Sequence, residues 1–123
     1  MKKLKKHLLT KDLVVGLGEI GDPILKITSR GFPTIGYDVD PKLMDKKKYK
    51  KFENIPTVLV HVCIPFSKTF GSTIIKIEKK YTPRAIVIHS TVSVKTTEVL
   101  QKKLDVPIIY SPIRGVHKRM LKD

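Results

Sequence analysis

Apolar positions along the chain follow two rhythms. Nearly unbroken apolar runs at 13–16, 34–39, 57–64, 84–89 and 106–110 have the length and β-branched content of buried strands. Between them, apolar residues recur every three or four positions. Ile20, Ile24 and Ile27 mark a helix over 19–30. Pro23 falls in its first turns, where a missing N–H costs little, and Gly31 suits its end. Phe70, Ile74, Ile77 and Tyr81 mark the clearest helix, 67–81, with lysines opposite. Ser93 can cap a helix over 94–104, and Asp40-Pro41 can open a short one over 41–48. Strands alternating with helices predict an α/β fold: an open parallel sheet of about five strands, right-handed crossovers, and helices on both faces.

The junction of the first strand and first helix carries the most chemistry. Val15-Gly16-Leu17-Gly18-Glu19-Ile20-Gly21 is a Gly-x-Gly-x-x-Gly turn. Gly16 lets the chain leave the strand sharply, Gly18 removes a Cβ from the path of a pyrophosphate, and Gly21 lets helix and strand pack closely. The helix start offers N–H groups and a positive dipole end to phosphates. Such a fingerprint calls for an acid about 20 residues on. Asp38 lies 22 residues beyond Gly16, at the end of the second strand. A carboxylate there can bond ribose hydroxyls and would repel a 2′-phosphate, which favours NAD over NADP; Lys42 nearby would soften that repulsion. The reading is a Rossmann-type domain, and two mononucleotide halves predict the strand order 3-2-1-4-5. No repeat, low-complexity segment or linker interrupts the chain, so it reads as one domain over 12–123 behind a basic arm at 1–11.

In open α/β sheets the ligand lies beyond the carboxyl ends of the strands. Those ends gather Gly16 to Gly21, Asp38, Pro65, Ser90, Thr91 and Arg114 on one rim. The cofactor-binding set is therefore Gly16, Gly18, Glu19, Ile20, Gly21, Asp38, Pro65 and Thr91, with Thr91 at the nicotinamide end. Ser90 and Thr91 serve equally well as caps for the next helix. His89, at a strand end, is the histidine placed for function; His61 reads as a core or sheet-face residue. Arg114 and His117 suit an anion clamp for a phosphate or carboxylate of the substrate. Cys63 reads as an inert buried thiol. No Cys/His spacing suggests zinc, and no nucleophile triad or paired carboxylates can be argued from spacing.

Composition narrows the picture. The 123 residues suit one domain and are too few for a two-domain dehydrogenase. One cysteine excludes an internal disulfide and fits a reducing compartment, so a cytoplasmic setting is expected. No apolar run approaches the ~20 residues that cross a bilayer. Twenty-five Lys+Arg against 11 Asp+Glu give a net charge of +14. That charge raises nucleic acid as a partner, with Lys46 to Lys51 as the densest cluster. Few aromatics accompany it, so a solvated helix end is the favoured reading.

The glycine turn, with Gly36-Tyr37-Asp38-Val39-Asp40-Pro41, resembles the N-terminal NAD-binding domain of the UDP-glucose/GDP-mannose dehydrogenase family, within the 6-phosphogluconate dehydrogenase-like group. Val62-Cys63-Ile64-Pro65 is similar to that family's third-strand exit, though Phe66 and Ser67 stand where threonine and proline are usual. His89-Ser90-Thr91-Val92 resembles its Ser-Thr-Val segment, which implies that Thr91 approaches the cofactor. Ser111-Pro112-Ile113-Arg114 resembles its Ser-Pro-Glu-Arg segment, with Ile113 in place of the glutamate that assists catalysis. The resemblance runs from about Leu13 to His117. It implies NAD binding and a nucleotide-sugar substrate, but this chain lacks the family's central and C-terminal domains and their catalytic groups. A partner chain or a homodimer would have to complete a reaction centre. The competing readings are a non-catalytic redox-sensing module and a basic nucleic-acid-binding protein on the same scaffold.

Overall fold

The computed structural model describes residues 9–112 of the chain. The elements are β1 (Lys11–Val15), α1 (Gly21–Ser29), β2 (Thr34–Tyr37), a 3-10 turn (Pro41–Leu43), α2 (Lys46–Phe52), β3 (Thr57–Val62), α3 (Phe70–Tyr81), β4 (Ala85–Ile88), α4 (Val94–Lys103) and β5 (Ile108–Tyr110). All four strand pairings are parallel. The expected α/β class and open Rossmann-type sheet are present.

The strand order differs from the expected 3-2-1-4-5. It is 2-1-3-4-5, with β3 beside β1 rather than outside β2. The reason lies in 41–56. That stretch is polar and rich in lysine, and it folds as the 3-10 turn and α2. No apolar run is available to extend the sheet past β2. The next such run, β3, crosses back and pairs with the free side of β1, Val14 opposite His61 and Val15 opposite Val62. β2 is left as an edge strand.

Alternation along the strands divides the core in two. Leu13, Val15, Ile35, Val60, Val62, Ile86 and Ile88 point to one face, under Phe70, Ile74 and Ile77 of α3 and Leu100 of α4. Tyr49 and Phe52 of α2 join them. Val14 points to the other face and meets Leu17 and Ile24 under α1. Three helices thus cover one face and one helix covers part of the other, among the described residues.

Element ends follow local chemistry. α1 begins at Gly21, two residues later than its pattern suggests, and Pro23 lies in its first turn. α3 begins at Phe70 rather than at 67, because Ser67 accepts the Thr69 N–H and forms its own turn. α2 is capped by Asp45, whose carboxylate accepts the Lys48 N–H at 3.1 Å. α4 is capped by Ser93, accepting from Thr96 N–H at 3.2 Å. Lys11, 2% exposed, sends its amine to the Glu53 and Ile55 carbonyls. This fastens the start of β1 to the end of α2, and burial pushes the amine's pKa down, partly offset by Glu53.

Glu78 is buried on α3, and its carboxylate accepts the N–H groups of Asp105 at 2.8 Å and Val106 at 3.1 Å. It holds the turn from α4 into β5. Glu78→Ala removes both hydrogen bonds, at about 1 kcal/mol each, since Asp105 is exposed and Val106 half-buried and water can take the place of the carboxylate. The urea midpoint is expected to fall accordingly, with an unchanged slope.

Candidate functional site

β1 and β3 are neighbours in the sheet, but their following connections run to opposite sides. A crevice opens above their carboxyl ends, as such a switch point requires. The cavity there is about 660 Å³, within the usual ligand-pocket range of roughly 300–1,000 Å³. Gly16, Gly18, Glu19 and Ile20 form one wall, Asp38, Val39 and Leu43 another, and Cys63 to Phe66 a third. Thr73 and Ile77 of α3, with Ser90 and Thr91 past β4, complete it.

Each glycine of the turn meets its own constraint. Gly16 has φ +91°, a conformation that side-chain-bearing residues rarely adopt. A Cβ on Gly21 would lie 1.5 Å from the Gly16 carbonyl oxygen and 3.3 Å from Cys63 Cβ. Here helix and strand touch through backbone. A Cβ on Gly18 would meet nothing within 4 Å; Gly18 faces open cleft. No side chain caps the α1 start at Ile20, so the first N–H groups of the helix are not satisfied by a side-chain cap.

Asp38 faces this turn. Its Oδ2 accepts the Leu17 N–H at 2.8 Å, and its Oδ1 accepts the Asp40 N–H at 2.8 Å. The carboxylate therefore ties the end of β2 to the glycine turn. An ionised carboxylate offers about four lone-pair sites, so acceptor capacity remains for hydroxyl donors. Asp40 is spent locally: its Oδ1 caps the 3-10 turn through the Lys42 N–H at 3.0 Å.

The structure sorts the remaining sequence candidates. Glu19, Ile20, Pro65 and Thr91 line the cleft with Gly16, Gly18 and Asp38; Gly21 supports it from beneath α1. Thr91 is exposed, whereas Ser90 is buried and donates its hydroxyl to the Ile64 carbonyl. Ser90 thus clamps the exits of β3 and β4 together, and the helix-capping role falls to Ser93. Cys63 reaches the cleft wall, but burial pushes its thiol up to about 12. That suits an inert thiol. Arg114 and His117 lie outside the described residues.

His89 does not line the cleft. It is buried on the α1 face of the sheet, its ring stacked on His61 with centroids 5.1 Å apart. His89 Nδ1 is 3.1 Å from the Ser111 carbonyl oxygen, and His89 Nε2 is 2.9 Å from His61 Nδ1. The carbonyl can only accept, so Nδ1 of His89 carries the hydrogen. Neutral His89 then accepts at Nε2 from His61 Nδ1–H. The outer nitrogen of His61 is left buried with no hydrogen-bond partner among the described residues, 3.8 Å from Asp12 Oδ2. A chain of polar groups thus crosses β1, β3, β4 and the end of β5.

Two features escaped the sequence reading. Gly36 lies in β2, where a Cβ would come within 2.6 Å of Leu17 Cδ2; a glycine inside a strand signals such an approach. Val39, Leu43 and Phe66 are exposed apolar residues at the cleft mouth, Val39 at 89%.

No family model and no curated protein matches the chain. Among solved structures, a protein described as RSP, a Rex-family repressor, is similar over 89% of this chain, with a TM-score of 0.55 and 19% identity. The match takes in 56% of that repressor, so the chain spans little more than half its length. The likeness supports the Rossmann-like fold. No helix among the described residues is long and apolar enough to cross a membrane.

Burial, then the neighbouring His61, hold the His89 pKa below its ordinary value of 6.5, against the Ser111 carbonyl. The unfolded chain therefore takes up this proton first as pH falls. The contribution to stability is complete above about pH 6.5 and is lost below it. Thermal midpoints at pH 8 and pH 5 should show that fall, and His89→Asn should flatten it.

Proposed function

We propose that this chain is an NAD(H)-binding domain resembling the N-terminal part of nucleotide-sugar dehydrogenases, without a complete catalytic site of its own. The observation that carries the reading is the geometry at Gly18. An open backbone position lies at the start of a helix without a side-chain cap, and Asp38 is tied to the same turn. In this reading the pyrophosphate lies against Gly18, Glu19 and Ile20, and the adenosine ribose bonds Asp38. Val39 and Leu43 supply an apolar wall on that side, and the nicotinamide points toward Pro65 and Thr91. In this reading the unit is a single domain that takes in Lys11 as the first residue of β1, with a basic segment before it. A nucleotide sugar as substrate, and a homodimer or partner chain completing the centre, follow from the same resemblance.

A second reading keeps the cleft but drops turnover: a module that reports dinucleotide redox state. It is favoured by the lining itself. Among the described residues no histidine or lysine faces the cleft, and Cys63 resists ionisation. Removing an alcohol proton during hydride transfer needs a base within hydrogen-bond reach. NADH formation with a nucleotide sugar would decide for the dehydrogenase reading; NAD binding without it decides for the second.

NAD at a hundred times its dissociation constant should stabilise the fold by about 2.7 kcal/mol, seen as a raised melting temperature. NADP should give less, because of Asp38. Gly18→Asp should abolish the NAD shift while leaving the ligand-free melting temperature unchanged, since the new side chain enters open space. A retained shift would exclude the proposed phosphate position.

A further inference from the structure

Away from the cleft wall, positive charge is densest on α2. α2 places Lys46, Lys47, Lys48, Lys50 and Lys51 within seven residues and carries no acid. Its other two residues, Tyr49 and Phe52, pack on the core. The helix spends all its apolar content inward, and Lys46, Lys47, Lys50 and Lys51 are exposed. Lys46 and Lys50, like Lys47 and Lys51, are one turn apart, about 6 Å along the axis.

α3 extends the patch. The hydroxyls of Tyr49 and Tyr81 are 2.8 Å apart, which sets the last turn of α3 beside α2. Lys79 and Lys80 occupy that turn. The Lys80 amine lies 5.7 Å from the centroid of Tyr37 and 5.2 Å from that of Tyr81. Tyr37 in turn packs on Tyr49, at 6.1 Å. Three tyrosines therefore weld two lysine-bearing elements into one surface. The Lys26–Asp22 ion pair lies on α1, and the acids nearest this face, Asp45 and Glu53, sit at the two ends of α2 and leave its run of lysines in excess. Like charges held together repel, and a polyanion relieves that repulsion.

We infer that the α2–α3 face binds the phosphate backbone of a nucleic-acid duplex without reading its sequence. The chemistry selects this partner. α2 exposes no apolar side chain among its lysines, so it has nothing to insert into a membrane interface. The tyrosines of the patch are engaged with one another and with the core, so they offer no free stack for unpaired bases. Lysines are mobile point charges, suited to backbone phosphates and poor at bidentate base readout. The lysines of α2 are absent from the cleft wall, so the two ligands do not compete for them.

The test is binding of a mixed-sequence 20-base-pair DNA duplex to the full chain across a salt series. With four backbone contacts the logarithm of affinity should fall with the logarithm of salt at a slope of about −3.6, roughly a hundredfold between 50 and 200 mM. The quadruple variant K46Q/K47Q/K50Q/K51Q should lose most of that slope and keep its melting temperature. If it does not fold, the double variant Lys46→Gln with Lys50→Gln should lower the slope by about two. No binding at 50 mM salt, or equal binding by the folded variant, overturns the inference. So does equal or tighter binding to vesicles of anionic phospholipid.

Discussion

The contact between Gly21 and the Gly16 carbonyl fixes the rest of the arrangement. With an added Cβ placed at 1.5 Å, there is room at that point for a hydrogen and nothing larger. The contact sets where α1 starts and how closely it lies on β1. It also decides that Val14, Leu17 and Ile24 share one small core. Because the turn is pressed against β1 and β3 from below, Gly18 is the part of it that faces outward. Asp38 then completes the brace from β2 through the Leu17 N–H. The cleft is thus a by-product of tight backbone packing, with few side chains needed to shape it.

The two faces of the sheet are built differently. One is apolar across its width and covered by α2, α3 and α4. The other carries Val14 beside α1 and, farther along, Asp12, His61 and His89 interspersed with Leu59, Ala85 and Val87. The polar row is tied at its two ends, through Leu59 N–H on Asp12 and through the Ser111 carbonyl on His89, while the outer nitrogen of His61 between them has no hydrogen-bond partner among the described residues.

Much of this was legible in the sequence. The apolar runs located all five strands, and the three-to-four spacing located α1 and α3, because those patterns reflect burial directly; α4 was marked by its Ser93 cap. The glycine turn and Asp38 were legible because their spacing is set by backbone geometry. The strand order was not. It depended on what 41–56 failed to supply, and the side on which β3 returns is decided by competition for β1. His89 was also misjudged in position: being at a strand end says nothing about which face a ring turns to, and the period of two placed it with His61 on the sheet. The α2 lysines were visible as a run, but the tyrosine contacts that join them to α3 link residues 32 positions apart.

The pairing of β1 with β3 has a consequence for how the chain matures. Leu13 and Val60 are register partners, and everything between them must be made before they can meet. On a ribosome the first strand therefore emerges with only β2 to pair with, across a helical crossover. The central ladder is deferred until translation has passed Val60. Closing such separated segments costs chain entropy before any contact repays it. The interval between synthesis of β1 and of β3 is thus the stage at which an apolar strand is exposed longest, and at which chaperone protection would count most.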